Sequence, residues 1–247
     1  MNISLNCDLG EGFSNDAFLM PYLWACNIAC GGHFGNVTTI EQSVQLAQKH
    51  QVNIGAHTSY PDVENFGRVS LNISAEDLIQ SLQQQLKLFE EVLEKQTATF
   101  HHIKAHGALY NDVAKDAQKA KIYLKAINHY KKDCLLFVPP NSAILKIAKQ
   151  QGFLICVEAF ADRTYNDDLS LLSRNLPNAN IHQPEKALQQ VLSIIKNEEV
   201  ITINNRKIEL QADTFCVHSD TENALAIVQH LHQFFNKKDI EYLSTSI

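Results

Sequence analysis

Short apolar runs rich in β-forming residues alternate with longer amphipathic stretches along the whole chain. The runs have the length of strands, whereas the stretches carry apolar residues at the spacing that marks one face of a helix. Parallel strands need helical crossovers, and about seven repeats of this alternation supply them. The pattern therefore predicts an α/β fold with a parallel sheet, in a single domain over residues 1–247.

The predicted strands end in polar side chains, and this feature decides how we expect the sheet to close. An open doubly wound sheet concentrates such residues at one switch point, whereas a (β/α) barrel gathers them from the carboxyl ends of many strands. A TIM-like (β/α) barrel, seven-stranded, is therefore expected, with a doubly wound sheet as the alternative. The expected strands are Ile3–Leu9, Trp24–Cys30, Val52–His57, His101–His106, Leu135–Val138, Phe153–Glu158 and Thr214–His218.

The stretches between the strands predict helices and one hairpin. Ser74 precedes a stretch with two acids in its first turn, which suits the start of a helix. The segment Val200–Leu210 is interrupted by Asn204 and Asn205, a pattern typical of a tight turn between two strands. The expected helices are Thr38–His50, Ser74–Lys95, Asp112–Tyr130, Ser142–Gln151, Pro184–Lys196 and Thr221–Phe235.

Composition excludes several classes of protein. The net charge of -6 argues against nucleic acid as the main partner, since a phosphate-binding surface needs clustered Lys and Arg. No apolar run approaches the roughly 20 residues of a membrane span, and we expect no membrane association. The first residues lack the features of a secretory signal, so the six cysteines indicate reduced thiols in a cytoplasmic protein.

Polar residues share one face on five of the expected strands, always toward the carboxyl end. Such a face is costly to bury unless its groups pair with each other or bind something. A single histidine at a strand end is more often structural, but several histidines together with an acid and a lysine favour a catalytic site. The residues concerned are Asp8, His57, Lys104, His106, Glu158 and His218.

The stretch CNIACGGHFGN, residues 26–36, is open to three interpretations: a metal site, a phosphate loop or a tight turn. Cys26 and Cys30 are four residues apart on a strand, about 13 Å, which is too far for one zinc ion. The glycines match no nucleotide-binding fingerprint. They either only make the turn or also offer backbone N–H groups to an anion. Separately, a catalytic metal held by Asp8 and two of the histidines stays open.

Seven motifs, in order from residue 6 to residue 220, resemble the LamB/YcsF family. The resemblance implies a (β/α) barrel of the glycoside hydrolase/deacetylase type. It also implies ATP-dependent opening of 5-oxo-L-proline to L-glutamate, with this chain as the A subunit of a 5-oxoprolinase that includes subunits B and C. The motifs are NCDLGEGF (6–13), NIACGGH (27–33), GAHTSYPD (55–62), FGR (66–68), KAHGALYN (104–111), EAFADRTY (158–165) and CVHSD (216–220).

The resemblance also implies roles for the residues that lie on these motifs. ATP with Mg²⁺ is the expected cofactor, a divalent metal stays open, and no residue is assigned as a metal ligand. The expected catalytic residues are Asp8, His57, Lys104, His106, Glu158 and His218. The expected substrate-binding residues are Glu11, His33, Tyr110, Asp162, Arg163 and Asp220.

A mechanism follows as a hypothesis: the lactam oxygen is phosphorylated and water then attacks the ring carbon. His106 or His57 would activate the water, and Lys104 would stabilise the developing charge. Arg163 would clamp the substrate carboxylate with both ends of its guanidinium. Asp8 and Glu158 would orient histidines or hold Mg²⁺ with the nucleotide. No known nucleotide-binding loop is present, so ATP would bind in an unfamiliar way or at an interface with a partner subunit.

Two other classes stay open from the residues alone. One is a metal-dependent amidohydrolase or deacetylase that needs no ATP, and the other is a non-catalytic subunit that captures a small carboxylate. The chain also departs from the family pattern: Asn36 replaces an acid, Ala105 a proline and Ser219 a glycine. Asn36 argues against a base or metal ligand in that loop, and we expect this position to mark how the chain differs from its relatives.

Overall fold

The computed structural model describes residues 4–237 and has all seven predicted barrel strands, with differences among the helices. The strands are β1 Ser4–Leu9, β2 Ala25–Ala29, β3 Asn53–Thr58, β4 Phe100–Ala105, β5 Leu135–Val138, β6 Leu154–Phe160, β7 Glu199–Ile201, β8 Lys207–Glu209 and β9 Thr214–Cys216. The helices are α1 Asp16–Leu19, α2 Val37–Lys49, α3 Ala75–Gln96, α4 Gly107–Lys115, α5 Ala117–Ala126, α6 Ala143–Gln151, α7 Pro184–Asn197 and α8 Ala224–Lys237.

Seven parallel strands close into a barrel in the order β1-β2-β3-β4-β5-β6-β9. Closure depends on β9, which pairs with β6 through Glu158 and Thr214 and with β1 through Asn6 and Cys216. The predicted seven-stranded barrel is confirmed, and the doubly wound alternative is wrong because the sheet has no open edge where its strand order could reverse. The predicted hairpin is also confirmed: β7 and β8 pair antiparallel outside the barrel.

The prediction of one helix over Asp112–Tyr130 is wrong. Helix α4 begins at Gly107, directly after β4, and ends at Lys115. The carboxylate of Asp116 then accepts hydrogen bonds from the backbone N–H groups of Gln118 and Lys119, which makes Asp116 the N-cap of a new helix. The amphipathic pattern runs across both helices, so periodicity alone does not reveal the break.

Two further predicted boundaries are wrong at the carboxyl end of the barrel. Strand β9 ends at Cys216 rather than at His218, so His218 lies on a loop. Helix α8 begins at Ala224 rather than at Thr221, because the Thr221 hydroxyl donates a hydrogen bond to Asp162 within that loop. The predicted start of β1 at Ile3 lies outside the described residues, and the single domain over residues 1–247 stays a prediction.

The hydrophobic core lies between the barrel and its helices, whereas much of the barrel interior is polar. Leu82, Leu86 and Phe89 of α3 are almost fully buried in this core. Inside the barrel, the Asn27 amide donates to the side-chain oxygen of Asn6, and the Asn27 oxygen lies 2.7 Å from Nε2 of His102. Buried polar groups are tolerated when they are paired in this way. This layer supports the carboxyl end of the barrel from below.

All six cysteines are buried free thiols, as the prediction of reduced thiols requires. Among residues 4–237, no helix combines the length and apolar character needed to cross a membrane.

Asn36 has a local structural role at the start of α2. Its side-chain oxygen accepts a hydrogen bond from the Thr39 backbone N–H, and its own N–H donates to the Thr39 hydroxyl. This reciprocal pair is a capping box, and Asn36 itself is exposed. An aspartate would accept the same hydrogen bond, so the acid expected here from the family resemblance would cap the helix in the same way.

We therefore expect Asn36→Asp to leave the free energy of unfolding unchanged or slightly increased, because a negative charge at a helix N-terminus is favourable. Asn36→Ala should lower it by about 1 kcal/mol, because the cap is lost. Urea denaturation measures both. If the two variants behave alike, the side chain does not cap the helix.

Candidate functional site

A cavity of about 580 Å³ opens at the carboxyl end of the barrel. Nine of the twelve predicted site residues line it, and the other three are buried behind the lining. The lining residues are Asp8, Glu11, His57, Lys104, His106, Tyr110, Arg163, His218 and Asp220, and those behind them are His33, Glu158 and Asp162.

A buried lysine occupies the floor of the cavity. Nζ of Lys104 lies 2.8 Å from Oδ1 of Asp8 and 2.8 Å from Oε1 of Glu158. Burial alone would lower the pKa of Lys104, but the charges of Asp8 and Glu158 outweigh it and raise the pKa well above its ordinary value. Lys104 is therefore a permanent cation at the bottom of the site.

Asp8 connects the lysine to the histidines. Its Oδ2 lies 3.3 Å from Nε2 of His57, and its Oδ1 accepts a hydrogen bond from the Asn27 amide. Burial would raise the pKa of Asp8, but the charges of His57 and Lys104 together hold it well below its ordinary value. The Asp8 carboxylate therefore stays ionised beside His57.

Two histidines are linked by a direct hydrogen bond. Nε2 of His106 lies 3.0 Å from the Phe66 carbonyl oxygen, so this nitrogen donates and Nδ1 carries the lone pair. Nδ1 lies 2.9 Å from Nε2 of His57, which donates to it. Burial is the main cause that lowers the pKa of His106 well below its ordinary value, and the charge of His57 adds to it. His106 is therefore neutral at neutral pH and has a basic nitrogen facing His57.

Glu11 and His33 pack against this pair. Oε1 of Glu11 lies 3.0 Å from Nε2 of His33 and 3.3 Å from Nδ1 of His106. The rings of His33 and His106 stack 3.7 Å apart. Burial lowers the pKa of His33 to about 2, while burial and then the charges of Asp8 and Asp220 raise the pKa of Glu11 well above its ordinary value. His33 holds the lining in place and does not itself reach the cavity.

His218 is held by a buried carboxylate. Asp162 accepts hydrogen bonds from the His218 backbone N–H and the Thr221 hydroxyl, and both its oxygens lie 3.1 Å from Nδ1 of His218. Burial would raise the pKa of Asp162, but the charge of His218 and these hydrogen bonds lower it to about 2. Asp162 therefore fixes the ring of His218, with Nδ1 as the donor.

The carboxylate of Glu158 is buried behind the lysine and beside the hydroxyl of Tyr110. One Glu158 oxygen lies 2.8 Å from Nζ of Lys104. Burial and then the charge of Glu158 raise the pKa of Tyr110 well above its ordinary value, and a hydrogen bond between the two side chains adds to this shift. Glu158 is therefore paired with both neighbours, as buried polar groups normally are.

Arg163 lines the cavity and also holds the loop after β6. Its Nε donates to the Ala179 carbonyl and its Nη2 donates to the Leu172 carbonyl. Burial and the charge of Arg174 lower the pKa of Arg163 to about 10, so it remains charged. These two hydrogen bonds leave three guanidinium N–H groups, and the bidentate clamp on the substrate carboxylate stays a prediction.

The cavity mouth contains arginines that the sequence-based site did not include. Arg68, after β3, and Arg174, after β6, both line the cavity and both form ion pairs with Asp220. Arg68 lies in the FGR motif, which belongs to the family resemblance but gave no role to this arginine. Arg174 lies in an irregular loop, where no periodicity or motif indicates that it turns toward the site.

The residues around His57 and His106 fit a metal ion. Ligand atoms of Asp8, His57 and His106 lie within 4.8 Å of one another, as do those of Glu11, His33 and His106. A carboxylate and two neutral imidazoles are the donors found in catalytic zinc sites. A metal here would be held by Asp8, His57 and His106 and would polarise a carbonyl oxygen or a water molecule.

The glycine-rich stretch at residues 26–36 makes a turn. Gly35 has a φ of +99°, and a Cβ added there would lie 2.6 Å from the Ala29 carbonyl oxygen. Only glycine fits such a close approach of two backbone segments. The turn also carries His33 to its place behind the histidine pair.

Sequence comparison identifies the relatives of the chain. The model of the LamB/YcsF family matches residues 3–246. The chain belongs to the LamB/YcsF family. Proteins from Staphylococcus aureus strains RF122 and Newman, each named as the A subunit of 5-oxoprolinase, are 37% identical to it, covering 99% of this chain and 100% of theirs.

Solved structures of other proteins share the fold of this chain. The lactam utilization protein from Thermus thermophilus superposes with a TM-score of 0.90 at 28% identity, covering 98% of this chain and 99% of that one. A 3-deoxy-D-arabino-heptulosonate 7-phosphate synthase from Thermotoga maritima, at 10% identity and a TM-score of 0.50, shares the barrel fold alone. The assignment of this LamB/YcsF barrel to the deacetylase type stays a prediction.

The pKa of Asp162 makes stability depend on pH. A carboxyl whose pKa is lower in the folded than in the unfolded chain stabilises the fold above its unfolded value, and the stabilisation is lost as pH falls toward the folded value. We expect Asp162→Asn to be less stable by about 2 kcal/mol at neutral pH, with the difference shrinking from about pH 5 to about pH 2.

Urea denaturation over this pH range measures the effect of Asp162→Asn. Asp133→Asn, at an exposed position, is the matched control and should follow the unaltered protein throughout. A pH-independent difference for Asp162→Asn would show that its charge does not stabilise the fold.

Proposed function

We propose that this protein is the A subunit of a cytoplasmic, ATP-dependent 5-oxoprolinase that opens 5-oxo-L-proline to L-glutamate together with subunits B and C. The observation that carries the proposal is the buried Asp8–Lys104–Glu158 cluster beside the paired histidines at the floor of the cavity. The full-length relatives named as the A subunit of 5-oxoprolinase support the choice of substrate. The six free thiols suit a reducing compartment.

A lactam is a stable amide, and its hydrolysis needs a base for water and a positive charge near the carbonyl oxygen. Lys104 supplies the charge, because its ammonium is held at the floor of the cavity and stays protonated. It would stabilise the negative charge of the phosphorylated lactam oxygen when water attacks the ring carbon.

The base is the His57–His106 pair beside Asp8. His106 is neutral, and its Nδ1 lone pair accepts the His57 N–H. Water that enters between the two rings would displace this N–H and pass a proton to Nδ1 of His106. The ionised Asp8 would stabilise the positive charge on His57 at 3.3 Å. Glu158 would hold the Lys104 ammonium in place from behind the cavity lining.

The chemical role of ATP is to activate the lactam before water attacks. Transfer of the γ-phosphoryl group to the lactam oxygen gives ADP and a phosphorylated imidate. Addition of water to the ring carbon, opening of the ring C–N bond and loss of phosphate then yield glutamate. Mg²⁺ would accompany the nucleotide. Because the described chain has no known nucleotide-binding loop, we place the phosphoryl transfer at a partner subunit or at the interface with it.

We expect the purified chain, mixed with partner subunits B and C, ATP, Mg²⁺ and 5-oxo-L-proline, to produce glutamate and ADP in equal amounts. Omission of ATP should abolish turnover. No glutamate from the complete mixture would contradict the proposal.

In that assay, His57→Ala and His106→Ala should each lower kcat by about 10²-fold or more, because each removes part of the base. His129→Ala, at an exposed position outside the cavity, is the matched control and should retain full activity. Full turnover by both site variants would instead support a non-catalytic, carboxylate-binding role for this chain.

The metal-compatible groups favour a second candidate, a metal-dependent amide hydrolase that needs no ATP. It predicts stoichiometric zinc in the purified protein, together with hydrolysis of a small amide or N-acetyl sugar that a chelator abolishes. Elemental analysis combined with an ATP-free assay separates the candidates. Glutamate formation that requires ATP and survives chelator treatment of the isolated chain would exclude this second function.

A further inference from the structure

Three loops meet across the mouth of the cavity. Nη2 of Arg68 lies 2.6 Å from Oδ2 of Asp220, and Nη1 of Arg174 lies 2.8 Å from the same oxygen. Arg68 follows β3, Arg174 follows β6 and Asp220 follows β9, so these contacts join separate sides of the barrel. We call these three residues the arginine bridge.

The arginine bridge has an excess of positive charge. Burial would raise the pKa of Asp220, but the charges of Arg174, His218 and Arg68 lower it, so the carboxylate is ionised. Two guanidinium cations against one carboxylate leave one positive charge uncompensated within the bridge. Such a group attracts an anion, and the partly closed cavity strengthens the attraction relative to open water.

Both guanidiniums retain hydrogen-bond donors. Each carries five N–H groups, and each uses one nitrogen for its short contact with Asp220. Arg68 is also fixed over the ring of Phe66, with 4.9 Å from its guanidinium carbon to the ring centroid. The side chains of Arg68 and Arg174 are 40% and 26% exposed, so a ligand in the cavity can reach them.

Arg163 supports the loop that carries Arg174. Two of its guanidinium nitrogens donate to backbone carbonyls on either side of Arg174. Arg163 therefore positions the loop, and Arg174 presents its remaining N–H donors to the cavity. Lys104 and the arginine bridge line the same cavity. A ligand whose neutral end reaches Lys104 would therefore place an anionic group at its other end against the bridge.

We infer that Arg68 and Arg174 form the anion subsite of this cavity, held in place by Asp220, and that it takes an oxyanion of the substrate. The oxyanion is either the carboxylate of the lactam or the phosphoryl group of its activated form. The identity of the lactam rests on the proposed function, whereas the anion subsite rests on the bridge itself.

Calorimetric titration of the purified chain tests the inference with three probes: 5-oxo-L-proline, its uncharged analogue 2-pyrrolidinone, and inorganic phosphate. We expect Arg68→Gln and Arg174→Gln each to weaken anion binding by about tenfold or more, since each removes charge-assisted hydrogen bonds. Binding of 2-pyrrolidinone should be unchanged. Arg68→Lys and Arg174→Lys should give intermediate losses, because they keep the charge but not the planar fork.

Arg206→Gln is the matched control, because Arg206 is an exposed arginine on the β7–β8 hairpin that pairs with Asp167. It should bind all probes like the unaltered protein, and all variants should have the same thermal unfolding midpoint. Losses confined to 5-oxo-L-proline assign the subsite to the carboxylate, and losses confined to phosphate assign it to a phosphoryl group. The inference is overturned if neither anion binds, or if both bind the glutamine variants as tightly as the unaltered chain.

This titration is separate from the test of the proposed function. Arginine-dependent phosphate binding by a chain that yields no glutamate with its partners would retain the subsite and reject the 5-oxoprolinase. Glutamate formation by a chain whose arginine variants bind both anions normally would retain the 5-oxoprolinase function and reject the subsite.

Discussion

The ammonium of Lys104 between two buried carboxylates is the interaction on which the centre of this barrel depends. A charge removed from water is costly, and it is tolerated only when partners surround it. Asp8 from β1 and Glu158 from β6 provide those partners and thereby tie β4 across the barrel to the two strands that flank β9. The same contacts hold one cation at the floor of the cavity, so the requirement of the fold and the requirement of the site coincide.

The polar interior explains why this barrel can build a deep site. Side chains of Asn6, Asn27 and His102 pair with one another below the lysine, so the floor of the cavity is fixed by directional hydrogen bonds. Apolar packing is confined mainly to the layer between strands and helices. Substitutions in the outer apolar layer should therefore lower the stability of the protein. Substitutions in the inner polar layer should instead change the geometry of the site.

The sequence predicts the barrel and much of the site because both follow from strand periodicity. Residues two apart share a face, so Lys104 and His106 could be placed with His57 and Asp8 before their contacts were known. Periodicity ends at the loops, where Glu11, Arg163 and Asp220 are predicted only from the family motifs and Arg174 is not predicted at all. The helix break at Asp116 depends on two hydrogen bonds to the Asp116 side chain, and the direction of Arg174 depends on how Arg163 holds its loop.

Cys216 lies in the same inner layer, with its sulfur 3.2 Å from Nζ of Lys104. Burial, followed by the charge of Asp8, raises the pKa of this thiol well above its ordinary value. Peroxides react with thiolates rather than thiols, and they need access to the sulfur. A sulfur atom next to the cation at the heart of the site is thus kept in its unreactive form, and this centre should tolerate oxidative stress that inactivates hydrolases built on a nucleophilic cysteine.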